Sequence, residues 1–318
     1  MELNYTNLFN STAFSAKLGT EIFPQLPKEL QTPELKAALD ANVALVARLQ
    51  TSFNETQKVQ PDFYETILAG FTNAITVYTS ILPADQKKTS QLLPTLVRNV
   101  SDLSRWVKDY ETTVKYDRQD VELAKANPGE SDTWLSLSLS TLGGDLVNLH
   151  GKKHEESLLT EGEADENQAL DEAIKELPNA SETNIVRAEI GGIYSQLIDV
   201  LIDLNQWDQA AAELDKLVAF ADDCVANDYL SPLMDWNYYL KALKIAYHFV
   251  PTANFDDSFD KAVAQGKKAA AILVKMMEAE PNFETGVLRQ VFLLAGGHLD
   301  LAKLPLHELP SSWPSAQD

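Results

Sequence analysis

Apolar residues recur every three or four positions along most of this chain, which is the pattern of amphipathic α-helices. Thr32-Pro33-Glu34 is a helix start, with a hydroxyl cap, a proline in the first turn and an acid near the positive end of the helix dipole. A second helix begins at Pro61-Asp62 and ends at Pro83. The pattern then stays helical from Ala84 through Tyr116 and extends to Ala126 at most, because Asn127-Pro128-Gly129 stops it. Pro94 is expected to start or kink this helix.

No run of β-branched and aromatic residues alternates with polar ones in the way that half-buried strands require. Long helices joined by short proline-containing connections are typical of an antiparallel bundle. The sequence therefore predicts an all-α fold, with an N-terminal antiparallel helical bundle over residues 1–130.

The composition changes after this bundle. Residues 132–149 predict a helix rich in Ser and Leu, and Gly151 predicts a loop after it. Ten acidic residues and one basic residue lie between Glu155 and Glu182, where we expect a surface loop and a short helix over Asp165–Leu177. Residues 131–183 are thus predicted to form a connecting helix and an acidic segment, which is a solvated linker or, less favoured, a surface for a basic partner.

Two helices lie back to back between Ala188 and Val225. The first is apolar around most of its circumference, so we expect other elements to cover it on more than one side. The second carries a narrower apolar stripe at Ala210, Ala211, Leu214, Leu217 and Val218.

The joint between these helices recurs twice. Each joint combines a large apolar residue, an aspartate, a variable position and a small residue, and the joints are 48 and 44 residues apart: Trp207-Asp208-Gln209-Ala210, Phe255-Asp256-Asp257-Ser258 and Leu299-Asp300-Leu301-Ala302. The large residue is expected to pack under the hairpin, the aspartate to cap the next helix, and the small residue to let the two helices approach.

These joints resemble the tetratricopeptide repeat family. With Ala210 at the family's small position of the second helix, the large positions of the first helix fall on Tyr194, Leu197 and Leu201. Ile198 departs from the family pattern, and the spacing exceeds the family's repeat of about 34 residues. The resemblance covers residues 185–302 and implies a scaffold that binds a peptide or protein segment in a groove. Longer-helix relatives and an unrelated helical array remain alternatives. We therefore expect a tetratricopeptide-like helical-hairpin array over residues 184–318, with an extended C-terminal tail.

Aromatic residues are concentrated just after the first hairpin. Trp and Tyr are favoured in protein interfaces because they bury a large area and keep a polar tip. Adjacent Tyr residues on a helix point about 100° apart, so both cannot face one core. The predicted partner-binding residues are Tyr229, Trp236, Tyr238, Tyr239 and Tyr247, with ordinary core packing as the alternative.

The net charge of −21 narrows the class of partner. Such a chain repels nucleic-acid phosphates and anionic lipids, so we expect neither nucleic acid nor a membrane as a partner and favour a basic protein or peptide. The single cysteine, Cys224, excludes an internal disulfide. The sequence shows no secretory signal and no apolar run of membrane-spanning length, which predicts a cytoplasmic protein.

No phosphate-binding loop, dinucleotide motif or nucleophile elbow occurs, so we expect no cofactor. His150 and His154 are four apart, but Gly151 between them argues against a metal site. The favoured hypothesis is a non-catalytic binding scaffold or adaptor. An acidic inhibitor that blocks a basic enzyme surface and an enzyme with a carboxylate-based pocket are the alternatives.

Overall fold

The described part of the chain is helical. The computed structural model describes residues 18–56, 61–83, 92–127, 134–180 and 183–227, together with the single residues 229, 241, 242, 244, 245, 248 and 268. No strand occurs among these residues, which confirms the all-α fold class. Short helical turns occupy Leu18–Ile22, Phe23–Gln25, Lys28–Leu30 and Leu177–Asn179. The α-helices are α1 (Pro33–Thr56), α2 (Pro61–Ile81), α3 (Leu92–Trp106), α4 (Tyr110–Ala126), α5 (Trp134–Lys153), α6 (Glu156–Glu176), α7 (Thr183–Asp203) and α8 (Trp207–Ala226).

The expectation of a continuous helix through Tyr116 is wrong, because α3 ends at Trp106 and α4 begins at Tyr110. α3 begins at Leu92, close to Pro94, where the sequence predicts a helix start or a kink. Lys108 has a φ of 65°, the left-handed conformation that ends a helix. The backbone N–H of Asp109 donates to the Ser104 carbonyl at 2.8 Å, and the Asp109 carboxylate accepts from the backbone N–H of Thr112. Apolar residues keep recurring every three or four positions across this break, because α3 and α4 both bury side chains in the same core.

Two further local expectations are corrected. Gly151 lies inside α5, which ends at Lys153, and the turn comes at His154, where φ is 57°. Most of the acidic segment is one continuous helix, α6, over Glu156–Glu176, and not a loop with a short helix over Asp165–Leu177. Small and apolar residues recur through this segment at helical spacing and are buried, among them Leu159, Ala169 and Ala173.

By its internal contacts the chain divides into two compact units, residues 1–158 and residues 159–318. Each helix from α1 to α5 packs against the next one along the chain, so α5 belongs to the first unit. The predicted boundaries at residues 130 and 183 placed this helix in a connecting segment instead.

The first unit has an apolar core that runs from the N-terminal turns to the start of α5. Its fully buried members include Leu35, Leu39, Ile67, Leu96 and Val97. Thr32 caps α1 by accepting a hydrogen bond from the backbone N–H of Leu35 at 3.2 Å, as the sequence predicts.

One polar side chain interrupts this core between α1 and α2. Asn42 is fully buried, and neither its Oδ1 nor its Nδ2 hydrogen-bonds to any residue in the described ranges. It faces Gly70, where an added Cβ would lie 3.2 Å from the Asn42 Oδ1 and 2.4 Å from the Cδ1 of Leu45. The missing side chain at Gly70 therefore leaves space for the group at position 42.

Replacing the buried amide should stabilise the protein. A buried polar group without a partner costs about 1–3 kcal/mol, and leucine has the same branching as asparagine without the polar atoms. We expect Asn42→Leu to raise the free energy of unfolding by about 1 kcal/mol in urea titrations. Asn42→Ala, which leaves a void, is the matched control and should give a smaller gain or none. A less stable Asn42→Leu protein would show that the amide has a partner in solution.

The second unit contains the α7–α8 hairpin. α7 is buried on most of its circumference, at Val186, Ile190, Gly191, Ile193, Tyr194, Leu197, Ile198, Val200, Leu201 and Ile202. α8 buries a narrower stripe that includes Ala210, Leu214 and Leu217. Both observations confirm the sequence-based expectation for this helix pair. None of the described helices is long and apolar enough to cross a membrane.

Candidate functional site

Most of the predicted partner-binding residues cannot be placed. Trp236, Tyr238, Tyr239 and Tyr247 lie outside the described residues. Tyr229 is described and is half-buried at the end of the α7–α8 hairpin. The aromatic groove therefore remains a prediction for these four positions.

Tyr229 belongs to a cluster around Arg187 of α7. The guanidinium carbon of Arg187 lies 4.1 Å from the centre of the Tyr229 ring and 5.8 Å from that of Phe220. Arg187 Nη1 also donates to the Cys224 Sγ at 3.4 Å and lies 3.5 Å from an Asp223 carboxylate oxygen. The ring of Tyr229 is thus held by an intramolecular cation–π contact, and Cys224 is a fully buried residue of the hairpin.

The first repeat joint is described, whereas Phe255, Asp256, Leu299 and Asp300 are outside the described residues. Trp207 is half-buried and stacks on the His248 ring, with 3.9 Å between ring centres and 7° between ring planes.

The expected capping role of Asp208 is wrong. The N-cap position of α8 is Gln206, which makes no side-chain capping hydrogen bond with the described residues. Asp208 lies in the first helical turn, where its charge favours the positive end of the dipole. Ala210 is fully buried, as a small residue at a close helix approach should be.

A network of charged side chains lies in the first unit, where α3, α4 and α5 meet. Arg105 of α3 contacts three carboxylates: Nε lies 2.6 Å from an oxygen of Asp145, Nη1 lies 2.7 Å from one of Asp102, and Nη2 lies 3.4 Å from one of Asp117. Ser101 accepts from Arg105 and donates to Asp117. We call Arg105, Asp102, Asp117 and Asp145 the Arg105 cluster.

A second ion pair lies about two turns away on the same face of α3. Arg98 Nε donates to Asp120 of α4 at 2.9 Å, and Ser138 Oγ of α5 donates to the same carboxylate oxygen at 2.6 Å. Trp134 Nε1 lies 3.4 Å from the other oxygen of Asp120, and its ring receives the Arg98 guanidinium at 5.2 Å. These contacts supply Asp120 with three donors.

Burial in the first unit shifts the pKa values of the Asp117 and Tyr64 side chains. Burial raises the pKa of Asp117 to about 8; the charge of Arg105 opposes this rise, and the nearby Asp145 carboxylate adds to it. Burial also raises the pKa of Tyr64 to about 12, and its hydroxyl donates to Asp109 at 2.9 Å. Asp117 is therefore a carboxyl group that holds its proton at neutral pH.

The Arg105 cluster was not among the sites predicted from the sequence. A signal was present: Arg98 and Arg105 are seven residues apart on one face of α3, and Asp145 is the one acidic residue of α5. A charge buried between helices needs a partner of opposite sign. The pairing itself depends on the break at Lys108, which the apolar period concealed.

No metal site is evident in the described ranges, because no three His, Cys, Asp or Glu side chains there are grouped closely enough to hold an ion. The rings of His150 and His154 lie 6.2 Å apart, and His150 Nδ1 is 3.0 Å from the Glu155 carbonyl oxygen.

The negative charge is unevenly distributed along the chain. Residues 159–318 contain 27 acidic and 11 basic side chains, whereas residues 1–158 contain 20 and 15. The second unit therefore carries a net charge of −16 out of −21. It also contains Ile174, Ile185 and Val225, which are 46%, 55% and 59% exposed.

Comparison of the chain with protein-family models, with curated proteins and with solved structures finds no match in any of the three.

Proposed function

We propose that the protein is a non-catalytic scaffold or adaptor whose second unit binds a basic protein or peptide. The observation that carries this proposal is the net charge of −16 in residues 159–318. Eleven basic side chains cannot neutralise 27 acidic ones, so the surface of this unit keeps a strong negative potential. Such a field attracts cationic partners and accelerates their association.

Exposed aliphatic side chains would let the second unit also make apolar contacts with a partner. Ile174 lies on α6, Ile185 near the start of α7 and Val225 near the end of α8, all in the second unit. A partner that presents both basic and apolar side chains would satisfy both features. The predicted aromatic residues after Tyr229 would add anchors of the type that dominates protein interfaces.

The test is capture of partners from native extract, with identification by mass spectrometry. The full-length protein should retain a basic partner, and a variant with Trp236, Tyr238 and Tyr239 changed to alanine should retain much less of it. Undiminished capture by the triple variant would contradict the aromatic part of the proposal. Capture of acidic proteins alone would contradict the charge argument.

Charge removal should affect the two units differently. We expect the pair Asp171→Asn and Asp203→Asn, both exposed in the second unit, to slow association with the captured partner about threefold. The matched control is the pair Glu34→Gln and Glu65→Gln, which removes as much charge from exposed sites of the first unit and should leave the rate unchanged. If the two pairs of replacements slow association equally in a stopped-flow measurement, binding does not depend on the charge of the second unit in particular.

Salt dependence separates the scaffold from the acidic inhibitor. Raising ionic strength from about 0.05 M to about 0.5 M screens steering between exposed charges. A charge-steered inhibitor should lose about a hundredfold in association rate over that range, whereas a partner anchored by aromatic and aliphatic contacts should lose less than about tenfold.

The carboxylate-based enzyme is less well supported. The raised pKa of Asp117 is the kind of feature that such an enzyme needs. However, the side chains of Asp117 and Asp145 are only 5% and 3% exposed, so a substrate cannot reach them while α3, α4 and α5 stay packed. The arrangement is better explained by a role within the fold.

A further inference from the structure

The Arg105 cluster holds more negative than positive groups. Three carboxylates surround one guanidinium, and two of them, Asp117 and Asp145, are almost completely buried. If all three were ionised, the cluster would carry a net charge of −2 against a largely apolar interior. Buried charges that are not compensated are expensive, so the cluster must take up a proton.

The contacts indicate where this proton lies. Arg105 Nη2 lies 3.4 Å from the nearest oxygen of Asp117. Asp145 accepts from Arg105 Nε at the shorter distance of 2.6 Å and from Asn148 Nδ2 at 3.3 Å. Because Asp117 has the longer contact with the cation, it is the buried carboxyl group that carries the proton.

Other charged groups near the pair come from α3 and α4, and neutral donors come from α3 and α5. From α3 they are Arg105 and Asp102, with Arg98 about two turns away. From α4, Tyr110 interacts electrostatically with both Asp145 and Arg105, and Asp120 lies one turn along. Ser101, Asn148 and Ser138 supply the neutral donors. No second cation contacts Asp117 in the described ranges, so losing the proton would leave its charge opposed by Arg105 alone.

We propose that a proton on Asp117 keeps α3, α4 and α5 packed around Arg105, and that this stabilisation is lost as the pH rises. This proton-dependent packing of the helices is independent of partner binding by the second unit. The direction in which stability changes with pH follows from the number of protons that the folded and unfolded states bind. A folded state that binds more protons than the unfolded chain loses stability as the pH rises. The loss should run from the ordinary carboxyl range, near pH 4, up to about pH 8, and level off above it.

The experiment uses the full chain and compares the wild type with Asp117→Asn. Asparagine keeps the shape of a protonated aspartate, and its Oδ1 can accept from Ser101. The melting temperature of the wild type relative to the variant should fall by about 3 °C per pH unit between pH 5 and pH 8, since the variant cannot ionise at this position. Asp102→Asn, at a carboxylate 43% exposed on the same arginine, is the matched control and should keep the wild-type slope.

A direct measurement distinguishes a proton on Asp117 from a general effect of charge on stability. Aspartate labelled with ¹³C at the carboxyl carbon should show one resonance that titrates near pH 8 in the wild type and in Asp102→Asn, and that is absent in Asp117→Asn. If all aspartate resonances of the wild type titrate below about pH 5, the proposal is wrong. A wild-type melting profile parallel to that of Asp117→Asn would also overturn it.

Discussion

Replacement of Arg105 by methionine should destabilise the first unit by about 3 kcal/mol at neutral pH. Methionine preserves the length and the apolar stem of the side chain but leaves the buried Asp145 carboxylate without its cation. Removing one partner of a buried ion pair costs about 3–5 kcal/mol, and the low end applies because the Arg105 side chain is 32% exposed. Hydrogen–deuterium exchange of peptides from α3, α4 and α5 in the full chain measures the loss, because faster exchange there reports weaker local packing.

The Arg98→Met variant is the matched control on the same helix face. The Arg98 side chain is 42% exposed, and Asp120 would keep its contacts with Ser138 and Trp134. Its cost should be about 1 kcal/mol, the usual contribution of a partly exposed ion pair. Equal effects of the two replacements would mean that the Arg105 cluster is no more important to the bundle than an ordinary surface pair.

The second large effect is expected in the α7–α8 hairpin. Leu197 is 1% exposed on the helix that is covered on most of its circumference. Truncation of a buried leucine to alanine removes its transfer free energy and leaves a cavity, at a cost of about 2–5 kcal/mol. We expect Leu197→Ala to lower the stability of the second unit by about 3 kcal/mol, measured by exchange of α7 and α8 peptides.

Ile185→Ala is the control for this experiment, because Ile185 is on the same helix and 55% exposed. It should change the stability by less than about 0.5 kcal/mol while weakening capture of the partner, since an exposed aliphatic residue contributes little to the fold. A Leu197→Ala protein as stable as wild type would show that the burial of α7 contributes little to the stability of this unit.

The helical fold could be predicted from the sequence because its signal is local. Apolar spacing, the Thr32 cap and the stops at Pro83 and Asn127 each depend on a few neighbouring residues. The two-sided burial of α7 was predictable for the same reason. The break at Lys108 was not predictable, because a left-handed backbone conformation at a lysine does not change the spacing of the apolar residues around it.

The candidate sites depend on long-range contacts or unit boundaries that no short segment of the sequence reveals. The Arg105 cluster joins residues up to 40 positions apart, and no single segment shows that Asp117 and Asp145 meet. The unequal charge of the two units could be counted from the sequence only once the division at residue 158 was known. The aromatic positions from Trp236 to Tyr247 remain a prediction from composition and helix geometry.

The tight turns between neighbouring helices bear on how the chain folds during synthesis. Lys108 and Asn205 are both left-handed, and in each turn the next residue donates its N–H back to a carbonyl five residues earlier. From α1 to α5, and again in α7 and α8, each helix packs against its neighbour in sequence. Such short-range pairing gives a low contact order, which favours rapid folding. Each hairpin can therefore form soon after its second helix leaves the ribosome, before the rest of its unit has been made.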